Sequence, residues 1–189
     1  QKQHFESLFA LLTLLGHDWN KNLYHLAFGT VKFGNEIMAT REGKIILLED
    51  VLKKTIEKAN KEIKKRKTKG DGEKVGVAAV KYRILKNEPV KDVEFSWDLL
   101  NFEGNTGPYI QYSYARASSI LNKAKNYNRP IKSIPNLTNS EILLLNCISK
   151  FPETVIQAGE KMNPALIANY SFELAKLFNE FYHSCQVIG

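Results

Sequence analysis

Three groups of residues in this 189-residue chain have types and spacings that could do chemistry. The first is a loop from Gly34 to Lys44. In it Thr40 offers a hydroxyl, Arg41 a planar cation and Lys44 a point charge, which together could hold a polyphosphate while it gains charge in a transition state. Any surface loop can hold such residues, so the composition alone does not select that chemistry. The second group is Tyr109, Tyr112, Arg116, Ser119 and Lys123, which recur at helical spacing and share one face. Tyrosine rings stack on unpaired bases, and arginine pairs with phosphate or lies flat on a base. Two half-buried tyrosines with their hydroxyls in solvent satisfy the same spacing. The third group runs from Lys53 to Lys69, with nine basic residues against Glu57 and Glu62. The chain's net charge of +7 is concentrated there, because the remaining residues carry eighteen charges of each sign. A polyanion such as nucleic acid would read that excess, with affinity falling as salt rises. A solvated helix face followed by a lysine-rich loop accounts for it equally well.

Other chemistries find little support. Cys147 and Cys185 are the only cysteines, each set in a helical apolar pattern, and they are expected to be core thiols rather than a disulfide or a metal site. His4, His17, His25 and His183 lack paired metal-ligand spacing, so no structural metal is expected. No apolar run approaches the roughly 18 residues of a membrane span, and no basic-then-apolar leader opens the chain. A soluble, cytoplasmic monomer with no membrane partner is expected. Because the chain starts at Gln1, already inside a helical pattern, and stops just after another, it is expected to be an excised part of something longer.

The positioning elements follow from periodicity. Phe5, Leu8, Phe9, Leu11, Leu12 and Leu15 predict a buried helix ended by Gly16. Leu23 to Phe33 reads as a strand with a bend or bulge at Gly29. After an extended start at Ile45 to Leu47, a helix begins near Glu49 and Asp50, burying Leu52, Ile56, Ala59 and Ile63 and leaving lysines outward. Thr68 to Glu73, with Gly70 and Gly72, reads as a flexible linker. A small-residue helix starts at Lys74, and Val93 to Phe95 is extended, leading to Trp97 and Phe102 as anchors between domains. Thr106 and Pro108 open the tyrosine-bearing helix, whose apolar stripe is Ile110, Ala117, Ile120, Leu121 and Ala124. Three more helices follow a Pro130 and Pro135 loop. The first is capped at Ser140 and buries Ile142, Leu143, Leu145 and Ile148, the second spans Phe151 to Lys161, and the third runs from Pro164 to His183. The sum is a mainly α chain, an antiparallel helical bundle preceded by a small α/β portion.

Two runs carry a resemblance. Phe102-Glu103-Gly104-Asn105-Thr106-Gly107-Pro108-Tyr109-Ile110-Gln111-Tyr112, followed by Ala115-Arg116, resembles the helix that opens the C-terminal helical domain of arginyl-tRNA synthetases. Met38-Ala39-Thr40-Arg41 with Gly43 is similar to that family's Met-Ser-Thr-Arg form of the class I Lys-Met-Ser-Lys-Ser loop, with Ala39 in place of serine and Glu42 in place of lysine. The resemblance implies the end of a Rossmann-like catalytic domain over 1–48, a linking region with the basic helix over 49–95, and a helical anticodon-binding domain over 96–189. It further implies a parent enzyme that activates L-arginine with ATP and Mg²⁺ and transfers it to tRNA(Arg) through an arginyl-adenylate. Arg41 and Thr40 would be catalytic, offsetting charge on departing pyrophosphate. His25, Met38, Thr40, Arg41 and Lys44 would meet ATP, and Gln1, in a Gln-x-x-His segment ending at His4, would meet the arginine. Tyr109, Tyr112, Arg116, Lys64, Lys65, Arg66 and Lys67 would bind tRNA. The family's His-Ile-Gly-His element is absent, so this piece is expected to bind tRNA without aminoacylating. The two altered loop positions leave room for a non-catalytic RNA-binding module, and a protein-interaction bundle with packed tyrosines is a third reading.

Overall fold

A computed structural model describes residues 2–33, 36–37, 47–95, 104–124 and 136–187. Helix α1, Lys2–Leu14, ends as the sequence requires: Gly16 adopts φ +80°, and the N–H groups of Gly16 and His17 donate back to the Thr13 and Leu12 carbonyls. Its burial is not as expected. No residue of α1 is buried, and Leu8, Leu11, Leu14 and Leu15 are exposed. The helix packs chiefly on the short 3-10 turn at Asp18–Asn22, which is too small to cover its apolar face.

The predicted strand from Leu23 is confined to its last three residues, β1, Val31–Phe33. Residues 23–30 have no strand partner among the described residues, and Gly29 is a point of close approach rather than a bulge. Its N–H donates to the Pro89 carbonyl at 2.7 Å, and a Cβ there would lie 2.3 Å from the Lys91 backbone. The short β2, Glu36–Ile37, pairs antiparallel with β1 inside the stretch expected to be loop. β3, Val93–Phe95, pairs parallel with β1, giving the order β2-β1-β3.

Helices α2, Leu48–Lys65, and α3, Gly72–Leu85, form a helical hairpin packed on that sheet. Val51, Val80 and Phe95 make the buried cluster that joins them, with Val31 and Leu52 against it. The buried stripe of α2 is Val51, Thr55 and Ala59, flanked by the half-buried Leu52, Ile56 and Ile63. Thr55 escapes a hydrophobicity count, but its hydroxyl donates to the Val51 carbonyl and so is satisfied within the helix. The expected flexible linker is a capped turn. Lys67 sits at φ 51°, Thr68 N–H donates to the Ile63 carbonyl, and the Asp71 carboxylate accepts from the Glu73 and Lys74 N–H groups at the start of α3. A Cβ on Gly72 would collide with Asn60, and one on Gly76 with the Ile56 backbone, so α2 and α3 approach closely through two glycines.

The helical bundle comprises α4, Gly107–Ala124, α5, Asn139–Ser149, α6, Phe151–Glu160, and α7, Ala165–Ser184. Helix α7 touches α3, α4, α5 and α6. The cap of α5 is Thr138 rather than Ser140: Thr138 and Glu141 form a reciprocal capping box, and Ser140 instead hydrogen-bonds Ser184 at 2.9 Å. The four apolar residues expected in the α5 core are exposed, only Cys147 being buried on that helix. At 100° per residue Ile142, Leu143, Leu145 and Ile148 spread around the helix, and one packing surface covers roughly a third of it. On α7 the buried positions are Ala165, Ala175 and Asn179, and the larger apolar side chains between them are half-buried.

Cys147 is a core thiol, as expected, and burial raises its pKa. Cys185 is not. It lies just beyond α7, partly exposed, where the hydroxyls of Thr138, Ser140 and Ser184 surround its sulfur and lower its pKa. Trp97 and Phe102, the expected anchors between domains, lie outside the described residues.

Candidate nucleic-acid interface

The tyrosine-bearing helix is seated before it offers anything outward. Gly104 turns the chain at φ 76°, and the Thr106 hydroxyl accepts from the Tyr109 N–H at 3.4 Å. A Cβ on Gly107 would stand 2.5 Å from the Ala78 carbonyl oxygen, so α4 starts in contact with the α3 backbone. Two polar bonds pin the preceding residue to α3. Tyr82 Oη donates to Asn105 Oδ1 at 2.5 Å, and Lys86 Nζ donates to the Asn105 carbonyl at 3.0 Å. Burial pushes the Tyr82 phenol up to about 12 and, together with Arg83 nearby, holds the Lys86 ammonium below its ordinary value.

From that seat the two stripes of α4 part as their spacing predicts. Ile110, Ala117 and Ile120 are half-buried toward the bundle, although Leu121 remains exposed. On the other face Tyr109 is half-buried, its ring 5.7 Å from that of Phe172, while Tyr112 is 55% exposed. That exposure is not what simply packed tyrosines would give. Arg116 lies between two rings, its guanidinium carbon 4.6 Å from the centroid of Tyr112 and 4.4 Å from that of Tyr182. Its Nη2 donates to the Tyr112 hydroxyl and its Nη1 to Asn179 Oδ1, both at 2.6 Å. Tyr109, Tyr112, Arg116 and Asn179 line a groove of about 600 Å³ between α4 and α7, whose far wall is Lys176, Glu180, His183 and Ser184. Aromatic faces, a fixed planar cation and a mixed polar wall suit an unpaired, anionic strand.

Sequence reasoning missed the α7 side of this groove. Tyr182 and Asn179 were hidden because α7 reads as an apolar helix through Leu166, Ile167, Tyr170, Leu174, Leu177, Phe178 and Phe181. The signal that could have found them is the complementary face, where Lys176, Asn179, Glu180 and His183 recur at spacings of three or four.

The lysine-rich segment is displayed as expected. All nine of its basic residues are exposed, including Lys64, Lys65, Arg66 and Lys67. Arg66 is committed to Glu62 at 2.7 Å, and that bond lowers the Glu62 pKa. Lys67 serves as the left-handed residue of the α2 cap. Of the nucleotide-side residues only His25 is described. Its ring stacks on Phe5 with centroids 4.0 Å apart and planes 15° apart, whereas His4 is exposed. Gln1, Met38, Thr40, Arg41 and Lys44 lie outside the described residues, as do Ala39 and Glu42. No group of three or more His, Cys, Asp or Glu among the described residues could hold a metal ion. No helix among them is long and apolar enough to cross a membrane.

Two family models match the chain. Residues 1–97 match the catalytic domain of class I tRNA synthetases (R), and residues 110–189 match the DALR anticodon binding domain. The arginine–tRNA ligase of Halothermothrix orenii is 39% identical across 100% of this chain and 34% of its own length. That of Clostridium beijerinckii is 38% identical across 100% of the chain and 35% of its own length. Among solved structures, Thermus thermophilus arginyl-tRNA synthetase superposes with a TM-score of 0.81 at 31% identity, covering 94% of this chain and 30% of that one. The Plasmodium falciparum arginyl-tRNA synthetase gives 0.75 at 29% identity over 100% of this chain and 34% of that one. The chain therefore spans about a third of the length of these proteins.

Proposed function

Since this chain belongs to the class I arginyl-tRNA synthetases, we propose that it supplies part of an arginine–tRNA ligase and that its own activity is the binding of tRNA(Arg). The proposed division keeps 1–48 as the end of the catalytic domain with the ATP loop, 49–95 as a linking region and 96–189 as the anticodon-binding domain. One observation carries the reading: the Arg116 guanidinium is held between Tyr112 and Tyr182 at the edge of an open groove, with Tyr112 largely in solvent. In this reading Tyr109 and Tyr112 stack on unpaired anticodon-loop bases, and Arg116 meets phosphate or the face of a base. The lysines of α2, Lys64, Lys65 and Lys67 with Arg66, follow the tRNA backbone as a salt-sensitive footprint.

In the whole enzyme, L-arginine and ATP with Mg²⁺ are the proposed small substrates and ion. Gln1 would meet the arginine, and His25, Met38 and Lys44 the nucleotide. Thr40 and Arg41 would offset negative charge on the pyrophosphate as it departs. The flat His25 and Phe5 pair is a hydrophobic surface that suits a neighbouring base or ribose edge. A cytoplasmic, monomeric protein is part of the same proposal. A second reading, an RNA-binding module without catalysis, draws on Ala39 and Glu42, which remove a hydroxyl and a cation from the nucleotide loop. Both readings require tRNA binding by the groove.

The test is the tRNA affinity of Tyr112→Ala. Loss of one stacking ring weakens binding by about 1–3 kcal/mol. Unchanged affinity in a variant with native helicity and melting temperature overturns the reading.

A further inference from the structure

We infer that Asn179 is a positioning residue that fixes the Arg116 guanidinium at the groove, acting on RNA binding through Arg116; the inference rests on the groove being an RNA interface. Asn179 is 8% exposed, in the last third of a helix whose other inward side chains are mostly apolar. A buried amide is tolerated in such a seam only when both of its ends are paired. Here they are. Oδ1 accepts from Arg116 Nη1 at 2.6 Å, and Nδ2 donates to Ser113 Oγ at 2.7 Å. Ser113 is itself buried, and its hydroxyl donates to the Tyr109 carbonyl at 3.0 Å.

The order of donors settles which way the amide points. Ser113 spends its single proton on the Tyr109 carbonyl, so toward Asn179 it offers only lone pairs. The NH₂ end of the amide must face Ser113, which leaves the oxygen for the cation. The result is a relay across the α4 and α7 seam, from the Tyr109 backbone through Ser113 and Asn179 to Arg116. Without it, among the described residues Arg116 keeps Tyr112, which is largely in solvent, and the exposed ring of Tyr182. An arginine side chain, long and rich in rotamers, regains conformational entropy when released. Aspartate at this position would hold the guanidinium as well, but its negative charge would offset the cation that a phosphate seeks.

A thermodynamic cycle of full-length variants tests the claim, with tRNA affinity measured at fixed salt alongside a melting curve. Arg116→Ala is expected to weaken binding about tenfold, and Asn179→Ala about fivefold in the native background but under about twofold when Arg116 is already alanine. An equal factor in both backgrounds, or no effect of Asn179→Ala on the native protein, overturns the inference while leaving the RNA interface standing. Native affinity in Arg116→Ala overturns the interface and the inference together. A second measurement does not depend on RNA. The NMR signals of the Arg116 guanidinium should show hindered rotation in the native protein and in Asn179→Asp, which keeps the acceptor, and free rotation in Asn179→Ala. Asn179→Asp should nonetheless bind tRNA more weakly, and it remains informative should the alanine variant fail to fold. Free rotation in the native protein overturns the inference directly.

Discussion

Tyr109 and Tyr112 stand one turn apart on the same face of α4, yet one leans on Phe172 and the other leads into solvent beside Arg116. The difference is set by what α7 places opposite each of them, and no reading of α4 alone could supply it. Asn179 shows the same limit, since the polar face of α7 marks its position but its role appears only when Ser113 and Arg116 are brought to either end of its amide. At this scale acid sensitivity can be worked out for Asp92. Its carboxylate accepts from Lys32 Nζ at 2.6 Å and from the Thr30 N–H at 2.8 Å, and those bonds, the lysine's first, lower its pKa. A carboxyl whose pKa is lower folded than unfolded contributes stability above the unfolded value, about 3.9, and loses it as pH falls through the folded value. Melting temperature should therefore drop on acidification below about pH 4, and Asp92→Asn, less stable at neutral pH, should show a shallower drop over that window. An identical acid profile for the two proteins would remove Asp92 from the account. Asp71 and Glu141, lowered mainly by backbone N–H donors at the starts of α3 and α5, act in the same direction.

Among the elements, the helices were the legible part. Apolar spacing locates α1, α4 and α6, and Gly16 ends α1, because each of these signals is local to its own turn. What covers an element is not local. The α1 leucines and the α5 isoleucines and leucines look like core in sequence, but only the side facing a neighbour is covered. The turn after α2 was misread for a related reason, since glycines and lysines that suggest a flexible linker instead let two helices close on each other. Two substitutions test these seams. Gly107→Ala should destabilise by about 1–3 kcal/mol in urea unfolding, because its methyl group meets the Ala78 carbonyl and Tyr82. Lys67→Gly should stabilise by about 1 kcal/mol, because glycine takes the left-handed conformation at that cap without a Cβ penalty. Loss of stability in Lys67→Gly, or none in Gly107→Ala, would contradict the geometry assigned to the two junctions.

The molecule as a whole joins an α2–α3 hairpin with an outward basic face to a bundle with an aromatic groove, and α3 is the common member, packing on α2, α4 and α7. The two family matches, residues 1–97 and 110–189, fall on both of these halves. Charge and aromatic surface should contribute to RNA binding in separable ways. Replacing Lys64 and Lys65 with glutamine should flatten the dependence of log affinity on log salt by about 0.7–0.9 for each phosphate no longer neutralised, with little change in which RNA is preferred. The groove should set the preference instead. The most direct measurement is a competition assay in which an anticodon stem-loop hairpin, and a hairpin of equal length and charge whose stem is extended to leave the shortest loop that can close, each displace tRNA(Arg) from the chain. The account predicts that the stem-loop displaces it at much lower concentration, and that Tyr112→Ala erases the difference. Equal displacement by the two hairpins from the native protein would show that charge alone is being read, and would contradict the groove as the site of recognition.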